Sequence, residues 1–244
     1  MTWKTHLIGG AQAGIAAAYL AGGSIGESAL ILSSALIGSI LPDIDQPGSK
    51  LAKSDSLVGL ASLLVSRFTK HRGITHTAAG AALTAMMFYA LAMFRTDRES
   101  IFALIAALAV FIFVHAAGGA FSRLAGWLAV ICYVFAPQIM QFLSDHSVSF
   151  SVNARSAALC AAGIFLGCIS HVIYDAFNKG GVMLLYPFSK KTFRFLDIRT
   201  NTFAEFGFAG VQVLVLALLI AVLYRDVRIV NAVRELVDEL SNML

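Results

Sequence analysis

The stretch SAALCAAGIFLGCISHVIYDAF, residues 156–177, is apolar and long enough to cross a bilayer, yet it carries a histidine and an aspartate near its end. A membrane-spanning helix needs about 20 mostly apolar residues, and this run supplies them. His171 and Asp175 are four residues apart and so share one face of that helix. Ionisable side chains at membrane depth are expensive and mark functional sites unless they pair with each other. The bland alternative is a buried His–Asp hydrogen bond that staples helices together, and the rest of the chain decides between the two.

The whole chain has the same character. Of 244 residues, 58% are hydrophobic and 13% charged, and the mean hydropathy is +0.78. A soluble domain carries about a quarter charged residues, so the composition points to an integral membrane protein. Cys132, Cys160 and Cys168 fall inside apolar runs without C-x-x-C spacing, which argues against both a disulfide framework and a thiolate metal site. The net charge of +4 does not imply nucleic acid, because membrane proteins gather Lys and Arg in cytoplasmic loops. Lys4 and the small residues near AYLAGG resemble a signal peptide, but a second apolar run follows at once. The first run therefore reads as a retained helix.

Apolar runs fall at residues 5–23, 28–44, 76–94, 101–118, 124–143, 156–177 and 204–224. The expected fold is an all-α polytopic membrane bundle, one domain over 1–244 with about seven transmembrane helices. Gly10-x-x-x-Gly14 suggests close helix contact. Residues 57–68 hold an apolar stripe too short to span, which predicts a short interfacial helix. Residues 95–155 read as an added helical hairpin, and 225–244 as an amphipathic tail that packs on the bundle or forms a homodimer.

Threading these runs through a bilayer places the polar motifs. The first run leaves one side and the second returns, so His6, LPDID (41–45) and HRGITH (71–76) lie together. Four further crossings bring SHVIYD (170–175) back to that side. The same side carries 12 of the 18 Lys and Arg, which by the positive-inside rule makes it cytoplasmic. His146 falls on the opposite side, and His115 has no polar company and reads as a core histidine.

The gathered residues have ligand chemistry. Asp43 and Asp45 lie between Pro42 and Pro47, which favours an extended path with both carboxylates pointing one way. His71 and His76 are five apart, about 140° around a helix, so the chain must turn between them, at Gly73, to bring both to one site. With His6, His171 and Asp175 they make a set of imidazoles and carboxylates without sulfur, suited to Zn²⁺, Mn²⁺ or Fe²⁺ and numerous enough for two ions. Thr202-x-x-Glu205 has the form of a capping box, with a metal role for Glu205 as the alternative.

LPDIDQPGSKL, HRGITHT and SHVIYDAFNKGGVMLLYPFSKKTFRF resemble the YdjM-like family of LexA-regulated, membrane-bound metal-dependent hydrolases, itself distantly similar to zinc-dependent phospholipase C and P1-type nucleases. The motifs cover about the first 95 residues and 156–205. The resemblance implies that His6, Asp43, Asp45, His71, His76, His171 and Asp175 are metal ligands, and that Glu205 matches a recurring acidic position. NKGGV (178–182) departs from the family's TPxGV.

The expected activity is hydrolysis of a phosphate ester of a membrane lipid or lipid-linked substrate at the cytoplasmic face of the bacterial inner membrane. Asp43, Asp45, His76 and Asp175 would be catalytic, and Arg72, Lys179, Lys190, Lys191 and Arg194 would hold phosphate. Two rivals make different demands: a metal-ion or proton-coupled transporter needs ligands near the midplane, and a non-catalytic scaffold needs a closed coordination shell.

Overall fold

Glycine and small residues set how these helices meet. In the computed structural model, which describes residues 1–46, 62–64, 66–67, 73–94 and 154–224, the regular structure is helical. Helix α1 spans Trp3–Ala21 and ends at Gly22, whose φ of 57° is the left-handed conformation that glycine adopts without penalty at a helix C-terminus. Helix α2, Ile25–Gly38, starts on a capping box in which Ser24 and Glu27 satisfy each other's backbone N–H. A 3-10 turn, Leu41–Asp45, follows. A second, Ile74–His76, leads into helix α3, Ala78–Phe94, where Thr77 Oγ1 accepts from Gly80 N. Helices α4, Ala154–Ala176, and α5, Phe203–Tyr224, complete the set.

Helix α4 is the centre. It runs parallel to α2, and the two backbones touch through glycines. A Cβ on Gly163 would lie 2.7 Å from Ile31 O, and one on Gly167 would strike Ala35 O. Gly38 on α2 answers with the backbone of Ile164. Such contact is the membrane substitute for a hydrophobic drive, since lipid is as apolar as leucine. Helix α1 crosses antiparallel to both: Gly10 and Gly14 rest on Ser39 and Leu32, as their spacing suggested, and Gly9 faces the ring of Tyr174. On the far side, Ala81 and Ala85 of α3 join Leu30, Ile37, Cys160, Ile164 and Cys168 in the core.

Helix α5 is attached differently. Its side chains are mostly exposed and apolar, and polar groups hold it. Gln12 Nε2 donates to Gln212 O at 2.7 Å, while Tyr174 OH lies 2.8 Å from Gln12 Oε1 and 2.9 Å from Gln212 Oε1.

The helix bounds lie within three residues of the apolar runs for 5–23, 76–94, 156–177 and 204–224, whereas the run 28–44 divides into α2 and the turn after it. Three described segments are long and apolar enough to cross a membrane: Ile25–Asp45, Ala154–Ala176 and Phe203–Leu223. The apolar part of α3 is shorter, Ala78–Ala90, and α1 is diluted by Lys4, His6, Gln12 and its glycines. The runs 101–118 and 124–143, the hairpin 95–155 and the tail 225–244 lie outside the described residues. Within the expected interfacial helix, residues 62–64, 66 and 67 are helical.

Gly167→Leu is expected to lower the stability of the purified protein by about 1–3 kcal/mol or more, because overpacking here meets backbone rather than a movable side chain. Gly210→Ala, where a Cβ meets nothing within 4 Å, should leave the melting temperature in detergent unchanged.

Candidate metal centre

The helix directions bring the polar motifs to one end of the bundle. Helices α2 and α4 arrive there with Asp43, Asp45, His171 and Asp175, while α1 and α3 depart from it with His6 and His76 at their starts. The expected common face is therefore a property of the fold.

His171 is fixed first. Its Nδ1 lies 2.7 Å from Ser39 O. A carbonyl only accepts, so Nδ1 carries the proton and the Nε2 lone pair faces the cluster. His76 is held similarly. Thr75 Oγ1 donates to Asp45 Oδ2 at 2.6 Å, which commits its one proton, and His76 Nδ1 lies 3.1 Å from the same hydroxyl and 3.5 Å from Asp45 Oδ2. His76 Nδ1 is thus the donor to Thr75. Its Nε2 then meets His171 Nε2 at 3.3 Å. Two ring nitrogens facing each other at that distance need a proton or a cation between them.

Carboxylates surround the same point. Asp43 Oδ1 is 3.6 Å from Nε2 of both His76 and His171, and Asp175 Oδ2 is 3.7 Å and 3.9 Å from them. His6 stacks on His171 with ring centroids 3.7 Å apart and points Nε2 at Asp175 Oδ1, 3.5 Å away. Both of its ring nitrogens are buried without a hydrogen-bond partner. Asp175 Oδ1 also accepts from the Met1 ammonium at 3.2 Å.

This geometry fits a divalent ion. The donors form two overlapping groups, His6–His171–Asp175 and Asp43–His76–His171, each with its atoms within 4.8 Å of one another. A tetrahedral ion with bonds of about 2.0–2.1 Å sets its ligands about 3.3 Å apart, close to the separations here. A cation at this point would satisfy one ring nitrogen of His6, a buried group without a hydrogen-bond partner among the described residues. Asp43 is the open side: its side chain is 20% exposed, against 3% or less for His6, His76, His171 and Asp175.

His76, in the turn before α3 and outside the three long apolar segments, is pulled downward in pKa by burial. Hydrogen bonds to Asp43 and Asp45 and the charges of Asp175 and Asp45 outweigh that and raise it to about 9.

The expected residues therefore divide. His6, Asp43, His76, His171 and Asp175 converge. Asp45 stands behind His76 and orients it. The extended path expected for the two aspartates is replaced by a 3-10 turn with Pro42 near its start, and the carboxylates diverge to grip His76 from two sides. Glu205 is buried but belongs to neither donor group. It accepts from Thr2 N, from Thr5 Oγ1 at 3.2 Å and from Asn201 N at 2.7 Å. The expected capping box is not made, because Thr202 Oγ1 turns to Arg199 O at 2.7 Å. His71 and Arg72 lie outside the described residues, and Lys179, Lys190, Lys191 and Arg194 are exposed, with no contact to the donor set among the described residues. Sequence reasoning missed Ser39 and Thr75. Thr75 had a signal, a hydroxyl beside His76, whereas Ser39 acts through its carbonyl and had none.

The description "YdjM inner membrane protein" fits residues 1–234, and the chain belongs to that family. It is 23% identical over 205 residues to the uncharacterized protein YvsG of Bacillus subtilis (strain 168), covering 84% of this chain and 85% of that protein. No solved structure matches.

The raised pKa of His76 gives a pH signature. The charged ring stabilises the metal-free fold fully below about 6.5, the ordinary value, and that contribution is lost as pH rises through about 9. A bound ion displaces this proton, so Zn²⁺ affinity, measured by chelator competition from about pH 6 to about 9.5, should climb and level off near 9. In Asp45→Asn, which removes one cause of the shift, it should level off at lower pH and be weaker by about 10–100-fold.

Proposed function

We propose that this member of the YdjM inner membrane protein family is a metal-dependent hydrolase that cleaves a phosphate ester of a lipid or lipid-linked substrate. The observation that carries this is the set of three imidazoles and two carboxylates in which Nε2 of His76 and of His171 face each other at 3.3 Å, with carboxylate oxygens of Asp43 and Asp175 within 3.9 Å of both. His6, His76, His171, Asp43 and Asp175 are the residues that would hold the ion, and Zn²⁺ suits the nitrogen-rich set. Bound there, it would supply polarisation of a phosphoryl oxygen and a lowered pKa for a ligating water.

The protein's own groups do the rest. Ser39 O and the Thr75–Asp45 pair lock the two imidazoles in the tautomer that presents Nε2. Asp43, the one partly exposed carboxylate of the set, meets the incoming substrate and is the candidate general base. Lys179, four residues beyond Asp175, and Arg72 are the cations placed by sequence to hold phosphate.

One ion per chain, rather than two, is the stoichiometry the described donors support. Both donor groups draw on His171, and its Nδ1 is committed to Ser39. Location at one end of the bundle favours this reading over a transporter, and the open Asp43 side favours it over a scaffold. The charge distribution in the sequence supports a cytoplasmic orientation of the site.

The test is to purify the protein in detergent, measure bound metal, and assay phosphomonoesters, phosphodiesters and lipid phosphates. About one Zn²⁺ per chain is expected, with hydrolysis reduced to background in His76→Ala and Asp175→Ala. Hydrolysis that survives both substitutions and chelation would overturn the proposal.

A further inference from the structure

Residues 177–202 connect two long apolar helices whose ends both meet the start of α1: Asp175 near the end of α4 faces His6, and Glu205 in the first turn of α5 binds Thr5. The connection is non-helical but shaped. Val182 and Phe193 exchange backbone hydrogen bonds at 3.0 and 2.8 Å, Phe195 N donates to Ala176 O at 2.8 Å, and Ala78 N donates to Leu184 O at 3.0 Å. Val182 and Ile198 are buried beneath it. Irregular backbone facing lipid is not tolerated in the hydrocarbon, where its unpaired groups find no water, so this segment lies outside the hydrocarbon.

What it displays there is unusual for a water-facing loop. Phe188 is 90% exposed, Phe195 62% and Leu196 52%, although the segment has a buried underside able to take apolar side chains. Beside them stand Lys190, Lys191 and Arg194, all exposed, and residues 179–199 hold five cations against one acid, Asp197. None of these three cations is in an ion pair among the described residues; Lys191 Nζ lies 5.7 Å above the Phe193 ring. Apolar rings flanked by basic side chains, next to the apolar start of a spanning helix (Phe203, 95% exposed), match the interface between acyl chains and headgroups.

We propose that the 183–196 segment is a lipid-binding surface that inserts Phe188, Phe195 and Leu196 at the headgroup boundary and engages anionic phospholipid headgroups through Lys190, Lys191 and Arg194. Its occupant is the anionic leaflet, selected by charge complementarity. Each basic side chain near such a surface adds attraction to anionic headgroups, so the three together confer a several-fold preference for anionic over zwitterionic lipid. This assignment does not depend on whether the metal centre hydrolyses anything. It places Lys190, Lys191 and Arg194 on bulk lipid, where the sequence had suggested a role in the substrate site.

The experiment uses the full chain in vesicles of phosphatidylcholine with about 30% phosphatidylglycerol, an anionic lipid. The emission added by Phe188→Trp, read as the difference from the parent protein, should be quenched by lipids brominated near the headgroup end of the acyl chain. Aqueous iodide should quench it little. Separately, the association of spin-labelled phosphatidylglycerol relative to phosphatidylcholine should exceed one several-fold in the parent and fall towards one in the Lys190→Glu, Lys191→Glu, Arg194→Glu variant. An unchanged melting temperature keeps that comparison valid. Emission from the introduced indole that is quenched by iodide but not by brominated lipid overturns the proposal, as does emission shielded from both by a protein partner. A headgroup preference unaffected by the charge reversal, with the variant folded, overturns it too.

Discussion

The hydrogen bond between Ser39 O and His171 Nδ1 ties the fold to the site. It forms because Gly163 and Gly167 let α4 lie against the backbone of α2, so that the first carbonyl past the end of α2 reaches the imidazole. Any larger residue at Gly167 separates the helices and withdraws that acceptor. The same contact sets the proton on Nδ1 and turns Nε2 towards His76, Asp43 and Asp175. Helix packing and ligand chemistry are here one constraint.

Around this point the protein carries an arrangement that costs stability. Three imidazoles and the carboxylates of Asp45 and Asp175 are almost entirely removed from water, and His6 finds no hydrogen-bond partner. Buried polar groups are normally satisfied. Helices stapled by one His–Asp bond would need none of the surplus donors. Asp45 and Thr75 make the same point from outside the cluster: they spend a buried carboxylate and a short hydrogen bond on the orientation of one ring.

Much of this was legible in the sequence, and the limits are physical. Apolar run length fixed where α1, α3, α4 and α5 lie, because a bilayer demands length. The threading expected His6, Asp43, Asp45, His76, His171 and Asp175 at one end, and the directions of the described helices bring them there. Spacing could not give the 3-10 turn at Leu41–Asp45, since prolines on both sides are equally compatible with extended chain. Nor could it give two of the partners of Glu205, Thr2 and Thr5, which come from the far end of the sequence. Backbone contributions such as Ser39 O have no residue signature at all. Among the described helices, α1 is amphiphilic enough to pack on its neighbours without meeting the demands of a lone span.

The Gln12–Tyr174–Gln212 cluster bears on how α5 is seated. A helix that is apolar all round feels no torque in lipid, since every rotation about its axis presents nearly the same surface. Gln212 removes that degeneracy. Turned outward, its amide would face hydrocarbon; turned inward, it meets Gln12 and Tyr174. The cluster therefore acts as a key in a keyway, fixing the azimuth of α5 and with it the direction in which Glu205, two turns earlier, approaches the first residues of α1.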